Sequence, residues 1–391
     1  MPLFIYVDKI EDNIREIRKK TKKNIIAVLK SDAYAMKTSL MIPLLQNNQI
    51  HFFAFEKKEE YTANRSYLQD DAVLIMESLT EQQVIAIDNP NVRISINHPL
   101  DAFFIKDIRV PTTIHIRIDS GMNRLGLRNM EEFKWVIDTL QTNPFITIEG
   151  IYTHFSSDVE ESNYYQKQVN LFEKYLEFRK FDVIHANATK SLHKTLLGNY
   201  VRVGMALYGY HQPHLQLKPV LQLQVRPCNL FYPSKNQKIG YMQMASKEEV
   251  GVIPLGYHDV DLQRIGSIYH KTQRIPLLGK SCMNHTHFIA NDKINYLTWL
   301  SIFPTNDIIC SSDEYDWYRI LISLQAMKRI YIRRRKHDIP KILKIKNQDS
   351  RTSRIRKRSS EVVGTRIIGH GRGYLFREFT FGNTRKSNDD I

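Results

Sequence analysis

Eight short apolar segments constrain the fold of this chain more than any other feature of its sequence. Between several of them apolar residues recur every three or four positions, which predicts helices at 130–140 and 160–178, and a further helix at 8–20 precedes the first strand. The predicted strands lie at 25–30, 51–55, 73–76, 92–96, 113–119, 147–154, 182–186 and 201–207. Strands that alternate with helices pair in parallel. The pattern therefore favours a closed (β/α)8 barrel over residues 1–218, with an open doubly wound sheet as the alternative.

The pattern changes after about residue 218. Short alternating runs such as PVLQLQV and EEVGVIPLGY follow one another with polar breaks between them. Such runs predict a second, β-rich domain over residues 219–327. Residues 328–391 have no clean periodicity and a dense positive charge, so we expect a basic tail that is poorly ordered or detachable. A shifted reading frame is a further hypothesis for the origin of this tail.

The tail carries nearly all of the net charge of +15. Residues 1–327 contain 37 Lys and Arg against 35 Asp and Glu, whereas residues 328–391 contain 19 against 6. Nucleic-acid binding is therefore not expected of the body of the protein and would depend on the tail alone.

Membrane and secretion signals are not indicated by the sequence. The N-terminus reaches Asp8 and Lys9 too soon for a signal peptide, and no apolar run is long enough to span a bilayer. The three cysteines, Cys228, Cys282 and Cys310, are far apart and lack metal-ligand spacing. We therefore expect a cytoplasmic protein without a metal site.

Lys30 ends the first predicted barrel strand, where parallel barrels place their catalytic groups. A partly desolvated lysine there loses its proton more easily and can form a Schiff base with an aldehyde. Tyr34 follows in the next loop and could donate a hydrogen bond to a phosphate. A lone lysine after a strand is more often a solvated charge, so this segment alone does not decide the matter.

Other strand ends carry polar groups of the same kind. Arg124 follows strand five and could hold a carboxylate. His154 ends strand six, and its flat ring could stack on an aromatic cofactor. Residues 185–189 end strand seven with polar donors, and Gly204 after strand eight lets backbone N–H groups approach a phosphate. Because these strand ends meet at one end of a barrel, we predict a single active site there.

Six segments together resemble the pyridoxal-phosphate-dependent alanine racemases. They occur in the family's order between residue 4 and about 290, and six such matches in sequence are highly specific. The segments are AVLKSDAYAMK (27–37), RIDSGMNRLG (117–126), EGIYTHF (149–155), RVGMALYG (202–209), PLGYHDVDLQR (254–264) and GKSCMN (279–284).

The resemblance implies a barrel followed by a β domain, and a head-to-tail homodimer in which each active site takes second-domain residues from the partner chain. Pyridoxal 5'-phosphate would be the cofactor, and L-alanine and D-alanine would be interconverted to supply D-alanine for peptidoglycan. Departures from the family pattern leave two alternatives open: a racemase of another small amino acid such as serine, and a cofactor-binding relative with little activity.

The resemblance also implies a role for each matching residue. Lys30 would bind the cofactor covalently and act as one base, and Tyr257 would be the second base. Arg124 and Met283 would line the substrate carboxylate. The remaining residues would contact the cofactor: His154 and Arg202 at its ring, and Tyr34, Gly204, Met205 and either Asn187 or Thr189 at its phosphate.

Three departures from the family pattern bear on activity. Arg117 stands where the family often has a lysine that becomes carbamylated, and Asn284 replaces an aspartate. The family's closing segment, whose tyrosine reaches the cofactor phosphate, has no match that we can find beyond about residue 293. We therefore expect the resemblance to end there.

Overall fold

An eight-stranded parallel barrel forms the first part of the protein, which confirms the predicted fold class. The computed structural model describes residues 2–156, 163–192, 197–210, 214–303, 316–333 and 341–342. The barrel strands are β2 (Asn24–Val28), β3 (Phe52–Phe55), β4 (Ala72–Ile75), β5 (Val92–Ile96), β6 (Thr112–Ile118), β7 (Ile146–Thr153), β8 (Val183–His185) and β9 (Tyr200–Val203). Their order in the sheet is β8-β7-β6-β5-β4-β3-β2-β9. A parallel bridge between Asn187 and Val201 joins the two ends and closes the barrel.

Helices cover the outside of the barrel between its strands. Those in the barrel are α1 (Val7–Lys20), α2 (Thr38–Asn47), α3 (Lys58–Asn64), α4 (Glu81–Ile85), α5 (Pro99–Ile105), α6 (Met130–Gln141) and α7 (Asn163–Phe178). In α1 the residues Ile10, Ile14 and Ile17 recur on one face and are fully buried. The strands are enclosed on both faces, which is why runs such as FFAF in β3 are entirely apolar and buried.

The second part of the protein consists mainly of short antiparallel strands. They are β10 (Leu221–Gln222), β11 (Gln224–Val225), β12 (Asn229–Phe231), β13 (Val250–Ile253), β14 (Ser267–His270), β15 (Gln273–Pro276), β16 (Thr286–Ile289) and β17 (Leu300–Ser301). One short helix, α8 (Leu262–Ile265), precedes β14. This part is rich in β-strands, as predicted for the second domain.

The C-terminal residues of the described chain return to the barrel. Helix α9 (Trp317–Ser323) is followed by β18 (Arg329–Arg333) and β19 (Lys341–Ile342). Strand β1 (Leu3–Tyr6) pairs in parallel with β18 and antiparallel with β10, so the N-terminus lies in a sheet with the C-terminal strands. The expectation that residues from 328 form a separate tail is therefore wrong for 329–333. The rest of the predicted tail, 334–340 and 343–391, lies outside the described residues.

The burial of this segment explains its place in the fold. Trp317, Ile320, Leu321 and Leu324 are fully buried, as expected of one apolar face of a helical segment. Tyr331 in β18 is 4% exposed despite its basic neighbours. Among the described residues, no helix is both long enough and apolar enough to cross a membrane.

Candidate active site

A cavity of about 410 Å³ opens at the carboxyl ends of the barrel strands. Its lining comes from residues that follow different strands and so lie far apart in the sequence. They are Val28, Lys30, Tyr34, Glu56, Met76, Arg117, Met122, Arg124, Tyr152, His154, Phe155, Ser156, Ala186, Ala188, Thr189, Ser191, Arg202, Gly204 and Tyr318. The cavity therefore has the size and the position of a small-molecule site in a barrel of this type.

A left-handed helical turn follows Lys30. Five consecutive residues that are not glycine, Ser31 to Ala35, have φ between 53° and 64°. Hydrogen bonds from Ala33 N to Leu29 O and from Ala35 N to Ser31 O make this a single turn of left-handed helix. Such a backbone costs about 1–2 kcal/mol per residue for L-amino acids, so surrounding contacts must hold it. The turn places Lys30 and Tyr34 on the same cavity.

The Lys30 amine lies in an environment that favours its neutral form. Burial lowers its pKa, Glu56 opposes this shift, and Arg124 adds to it. The Glu56 carboxylate is the nearest acid, with Oε2 3.9 Å from Lys30 Nζ. A lowered pKa leaves a larger fraction of the amine neutral, and only the neutral amine can act as a nucleophile or accept a proton, as predicted for Lys30.

Hydroxyl and backbone donors converge around Gly204. A Cβ atom at this position would lie 2.4 Å from Tyr34 Oη, so any larger residue would collide with the Tyr34 hydroxyl. The Gly204 N–H donates to Thr189 Oγ1 over 3.4 Å, and Ser191 lines the same part of the cavity. Burial raises the pKa of Tyr34 well above its usual value, which keeps its hydroxyl a donor. A phosphate group fits this set of hydroxyl and N–H donors.

A buried chain of hydrogen bonds orients Arg202. Its guanidinium donates to Thr153 O over 2.6 Å, to His185 O, and to His185 Nδ1 over 2.8 Å. Because arginine only donates, His185 Nδ1 must accept, and His185 Nε2–H then donates to His115 Nδ1 at 2.9 Å. His115 Nε2–H in turn donates to Glu149 over 2.8 Å. This order gives each of the two histidines a neutral, satisfied tautomer.

The protonation states of these hydrogen-bonded residues agree with the directions of their hydrogen bonds. Burial lowers the pKa of both His115 and His185, which keeps them neutral. Burial alone would raise the pKa of Glu149, but hydrogen bonds from His115 and Arg93 outweigh it and lower the value to about 2. Burial also lowers the pKa of Arg202, to about 10, so the guanidinium stays protonated at neutral pH.

His154 presents a neutral ring to the cavity. Burial, followed by the nearby charge of Arg202, lowers its pKa to about 3. Its Nδ1 lies 3.5 Å from an Arg202 guanidinium nitrogen. A neutral imidazole held beside a guanidinium can stack on a flat aromatic ligand, as predicted for this residue.

The cavity carries an excess of positive charge. Arg117, Arg124 and Arg202 line it, against the carboxylate of Glu56. Arg117 is 5% exposed and lies over the Tyr152 ring, with 5.6 Å from its guanidinium carbon to the ring centroid. This balance favours anionic ligands that carry phosphate or carboxylate groups.

Two predicted cofactor contacts lie beside the cavity without lining it. Asn187 is fully buried, and its amide donates to Ser191 O over 2.9 Å, which holds the loop that presents Ser191 and Thr189. Of the two alternatives for the phosphate contact, Asn187 and Thr189, it is Thr189 that lines the cavity. Met205 is also fully buried, in the short helical turn that follows Gly204.

Tyr257 and Met283 lie on the second part of the protein and do not line the cavity. Two adjacent loops hold them together, because Tyr257 N donates to Cys282 O and His258 N to Met283 O. Their exposed fractions are 57% and 55%. Gly256 permits this approach, since a Cβ there would lie 2.2 Å from Cys282 O. The structure thus brings these two residues to each other but not to Lys30 of the same chain.

Tyr318 is a cavity residue that the sequence did not reveal. It lies on α9 and its ring centroid is 6.0 Å from that of Tyr34. The sequence resemblance is expected to end near residue 293, yet this later segment still supplies a tyrosine to the predicted phosphate end of the cavity. The spacing of Trp317, Ile320, Leu321 and Leu324 was the signal that could have indicated a helix here.

The sequence is similar to those of several alanine racemases. The sequence model for "Alanine racemase, N-terminal domain" matches residues 5–212. The alanine racemase of Staphylococcus saprophyticus is 28% identical over 296 residues, which covers 70% of this chain and 76% of that protein. That of Listeria monocytogenes is 27% identical over 309 residues, which covers 73% of this chain and 83% of the relative.

Solved structures show the same fold at lower sequence identity. The alanine racemase from E. faecalis superposes with a TM-score of 0.75 at 20% identity, covering 84% of this chain and 97% of that one. The alanine racemase of Clostridium difficile 630 superposes with a TM-score of 0.75 at 22% identity, covering 88% of this chain and 98% of that one. The sequence match to the family model extends over more than half of the 391 residues. The chain therefore belongs to the alanine racemase family.

Proposed function

We propose that the protein is a pyridoxal-phosphate-dependent racemase that interconverts L-alanine and D-alanine with two bases, Lys30 and Tyr257. The observation that carries the proposal is the cavity itself, in which Lys30, with a lowered pKa, faces a cradle of hydroxyl donors and several cationic side chains. The names of the curated relatives support alanine as the substrate.

Each cavity residue has a role in this proposal. The donors of Tyr34, Thr189, Tyr318 and Gly204 would hold the cofactor phosphate, and His154 and Arg202 would contact its ring. When bound, pyridoxal phosphate withdraws electrons from the substrate's α-carbon and makes the α-proton acidic. Arg124 would bind the substrate carboxylate.

Lys30 and Tyr257 would move the α-proton. A neutral Lys30 amine can accept the proton on one face of the substrate, and the Tyr257 hydroxyl can supply one to the other face. Since Tyr257 and Met283 do not line the cavity of their own chain, we propose a homodimer in which each chain completes the other's site. Supply of D-alanine for peptidoglycan, in the cytoplasm, would be the physiological role.

A racemase of another small amino acid such as serine is the second candidate. Arg117 favours it, because a guanidinium lies in the cavity where the resemblance leads us to expect a lysine. A cofactor-binding protein with little activity would follow if no tyrosine reached the cofactor phosphate. Tyr318 lines the cavity, which argues against this alternative.

The test is racemisation of each enantiomer of alanine and of serine, with and without added pyridoxal phosphate. We expect cofactor-dependent conversion in both directions, with alanine turned over faster than serine. Faster turnover of serine would favour the second candidate. An inactive protein that still binds the cofactor would contradict the racemase proposal.

Replacement of Lys30 by alanine tests the cofactor site directly. We expect Lys30→Ala to lose the visible absorbance that borohydride bleaches, because this variant lacks the cavity's amine. Lys57→Ala, which removes an exposed lysine just beyond β3, is the matched control and should keep that absorbance. If the Lys30 variant retains a reducible cofactor, the site assignment is wrong.

A further inference from the structure

The left-handed turn beside Lys30 is held by residues 294 or 295 positions later in the sequence. Three residues between 325 and 331 donate hydrogen bonds to its backbone carbonyls. Gln325 Nε2 donates to Ser31 O over 3.4 Å, Arg329 Nε donates to Ala35 O over 2.6 Å, and Tyr331 Oη donates to Met36 O over 2.8 Å. The last carbonyls of a helical turn have no partner within the turn, so Arg329 and Tyr331 donate where the turn needs them, whereas Ser31 O also accepts from Ala35 N.

The environment makes these contacts strong. Tyr331 is 4% exposed, and Ala35 and Met36 are fully buried, so water cannot easily replace the lost bonds. Burial raises the pKa of the Tyr331 phenol, which keeps it protonated and able to donate. Arg329 also donates to Gln325 O over 3.1 Å, which ties two of the three donors to each other.

Other contacts hold the beginning of the turn from within the barrel. The Glu60 carboxylate accepts from Ser31 N over 2.6 Å, and the Asp32 side chain accepts from Thr38 N over 2.8 Å. Glu60 of the barrel and Gln325 thus both bond Ser31 at the start of the turn, whereas Arg329 and Tyr331 of β18 bond its end. Because the left-handed backbone of the turn is strained, we expect it to relax if either group of hydrogen bonds were lost.

We propose that Arg329 and Tyr331 are positioning residues, which hold the left-handed turn of residues 31–35 and thereby fix Lys30 and Tyr34 toward the cavity. Neither residue lines the cavity, so they act through the turn and not on the substrate. The effect on catalysis rests on the proposed function. The effect on the backbone of the turn does not.

Three variants and one control separate this role from general stability. Tyr331→Phe removes one hydroxyl at constant shape, Arg329→Gln removes the guanidinium, and Arg329→Lys restores a cationic donor. Arg333→Gln is the matched control, because Arg333 lies on the same strand but contacts Glu11 of α1 at 2.5 Å instead of the turn.

Amide hydrogen exchange measures the turn itself. Ala33, Ala35 and Lys37 donate backbone hydrogen bonds within it. We expect exchange in a peptide spanning 31–37 to rise about threefold to tenfold in Tyr331→Phe and Arg329→Gln, the usual effect of one lost hydrogen bond on a local opening equilibrium. Arg329→Lys should recover part of the protection, and Arg333→Gln should leave it unchanged.

Trapping of the cofactor measures the consequence at Lys30. We expect the rate at which borohydride fixes pyridoxal phosphate to Lys30 to fall by a similar factor in the two disruptive variants only, with unfolding temperatures matching the control. Unchanged exchange in 31–37, or an equal increase in Arg333→Gln, would overturn the proposal. If the unmodified protein never traps pyridoxal phosphate, the proposed function fails, and the exchange result still decides whether β18 holds the turn.

Discussion

Lys30 and Tyr257 lie in opposite environments, although the proposed reaction needs both at one substrate. Lys30 lines a cavity in which burial lowers its pKa. Tyr257 is 57% exposed on the second part of the protein. A half-exposed tyrosine beside the similarly exposed Met283 is unusual for a catalytic residue unless another surface covers it. The exposure of these two residues therefore points to a partner chain that covers them.

Replacement of Tyr257 by phenylalanine separates the two proposed bases. We expect Tyr257→Phe to bind the cofactor with an unchanged spectrum and to lose racemisation by at least about a hundredfold, the usual contribution of a general acid–base group. Exchange of the α-proton with solvent deuterium should fall more for L-alanine than for D-alanine, because Lys30 faces the D enantiomer in the family's scheme. Proton NMR of each enantiomer in deuterium oxide measures this difference.

A tyrosine without this role provides the control. Tyr232 lies in the same part of the chain and is 73% exposed, so Tyr232→Phe should leave both exchange rates unchanged. Equal losses for the two enantiomers in Tyr257→Phe would argue against two bases. No loss at all would mean that the second part of the protein supplies no catalytic group.

The sequence allowed most of the cavity residues to be predicted, because carboxyl ends of parallel strands must converge. Lys30, Arg124, His154 and Arg202 each follow or belong to a recognisable strand, and all four line the cavity. Tyr318 was not predictable in this way, since it lies on a helix after residues that match no known motif. Its position depends on long-range packing of α9, which local patterns do not encode.

At the scale of elements, the barrel strands were predicted to within a few residues. Apolar residues recur in all of them, and β3 (FFAF) and β4 (AVLI) are continuous apolar runs, which full enclosure of a parallel sheet favours. Strand β18 was missed because its sequence, RIYIR, begins and ends with arginine in a basic stretch. The left-handed turn was also missed, because KSDAY contains no glycine to suggest positive φ. Contacts distant in sequence determine both elements.

Truncation of the chain tests whether β18 belongs to the fold. A chain that ends at Met327 loses the four paired positions of β18 on β1 and the buried side chains of Tyr331 and Ile332. Each large side chain contributes about 1.5–3 kcal/mol when buried, so we expect the free energy of unfolding to fall by at least about 3 kcal/mol. Urea denaturation of the purified chains measures this change.

A second truncation is the control. A chain that ends at Ile342 keeps the paired positions of β18 on β1 and on β19, so its stability and cofactor absorbance should match those of the full chain. If the chain ending at Met327 is as stable as the full chain, β18 does not stabilise the fold, and the residues from 328 behave as the separate basic tail that their composition predicts.

Across the whole molecule, the second part of the protein exposes Tyr257 and Met283 together with further large apolar side chains. Tyr241 and Met242 are 80% and 51% exposed, and a Cβ atom at Gly279, four residues before Met283, would lie 3.7 Å from the Met242 side chain. Exposed aromatic and methionine side chains of this kind are typical of the core of a protein interface. A second copy of the chain on this surface would bring Tyr257 toward a cavity that its own chain cannot reach.

Mixing two inactive variants tests this shared site. In a dimer of Lys30→Ala with Tyr257→Phe, one site carries both changes and the other carries neither, provided that each site combines Lys30 of one chain with Tyr257 of its partner. Random exchange makes half of the dimers mixed, so activity should return to about a quarter of the unmodified level. Each variant exchanged with itself is the control and should remain inactive, and differently tagged chains verify the exchange by mass spectrometry. If mixed dimers form and stay inactive, both bases of a site belong to one chain, and Tyr257 must reach Lys30 by a rearrangement within that chain.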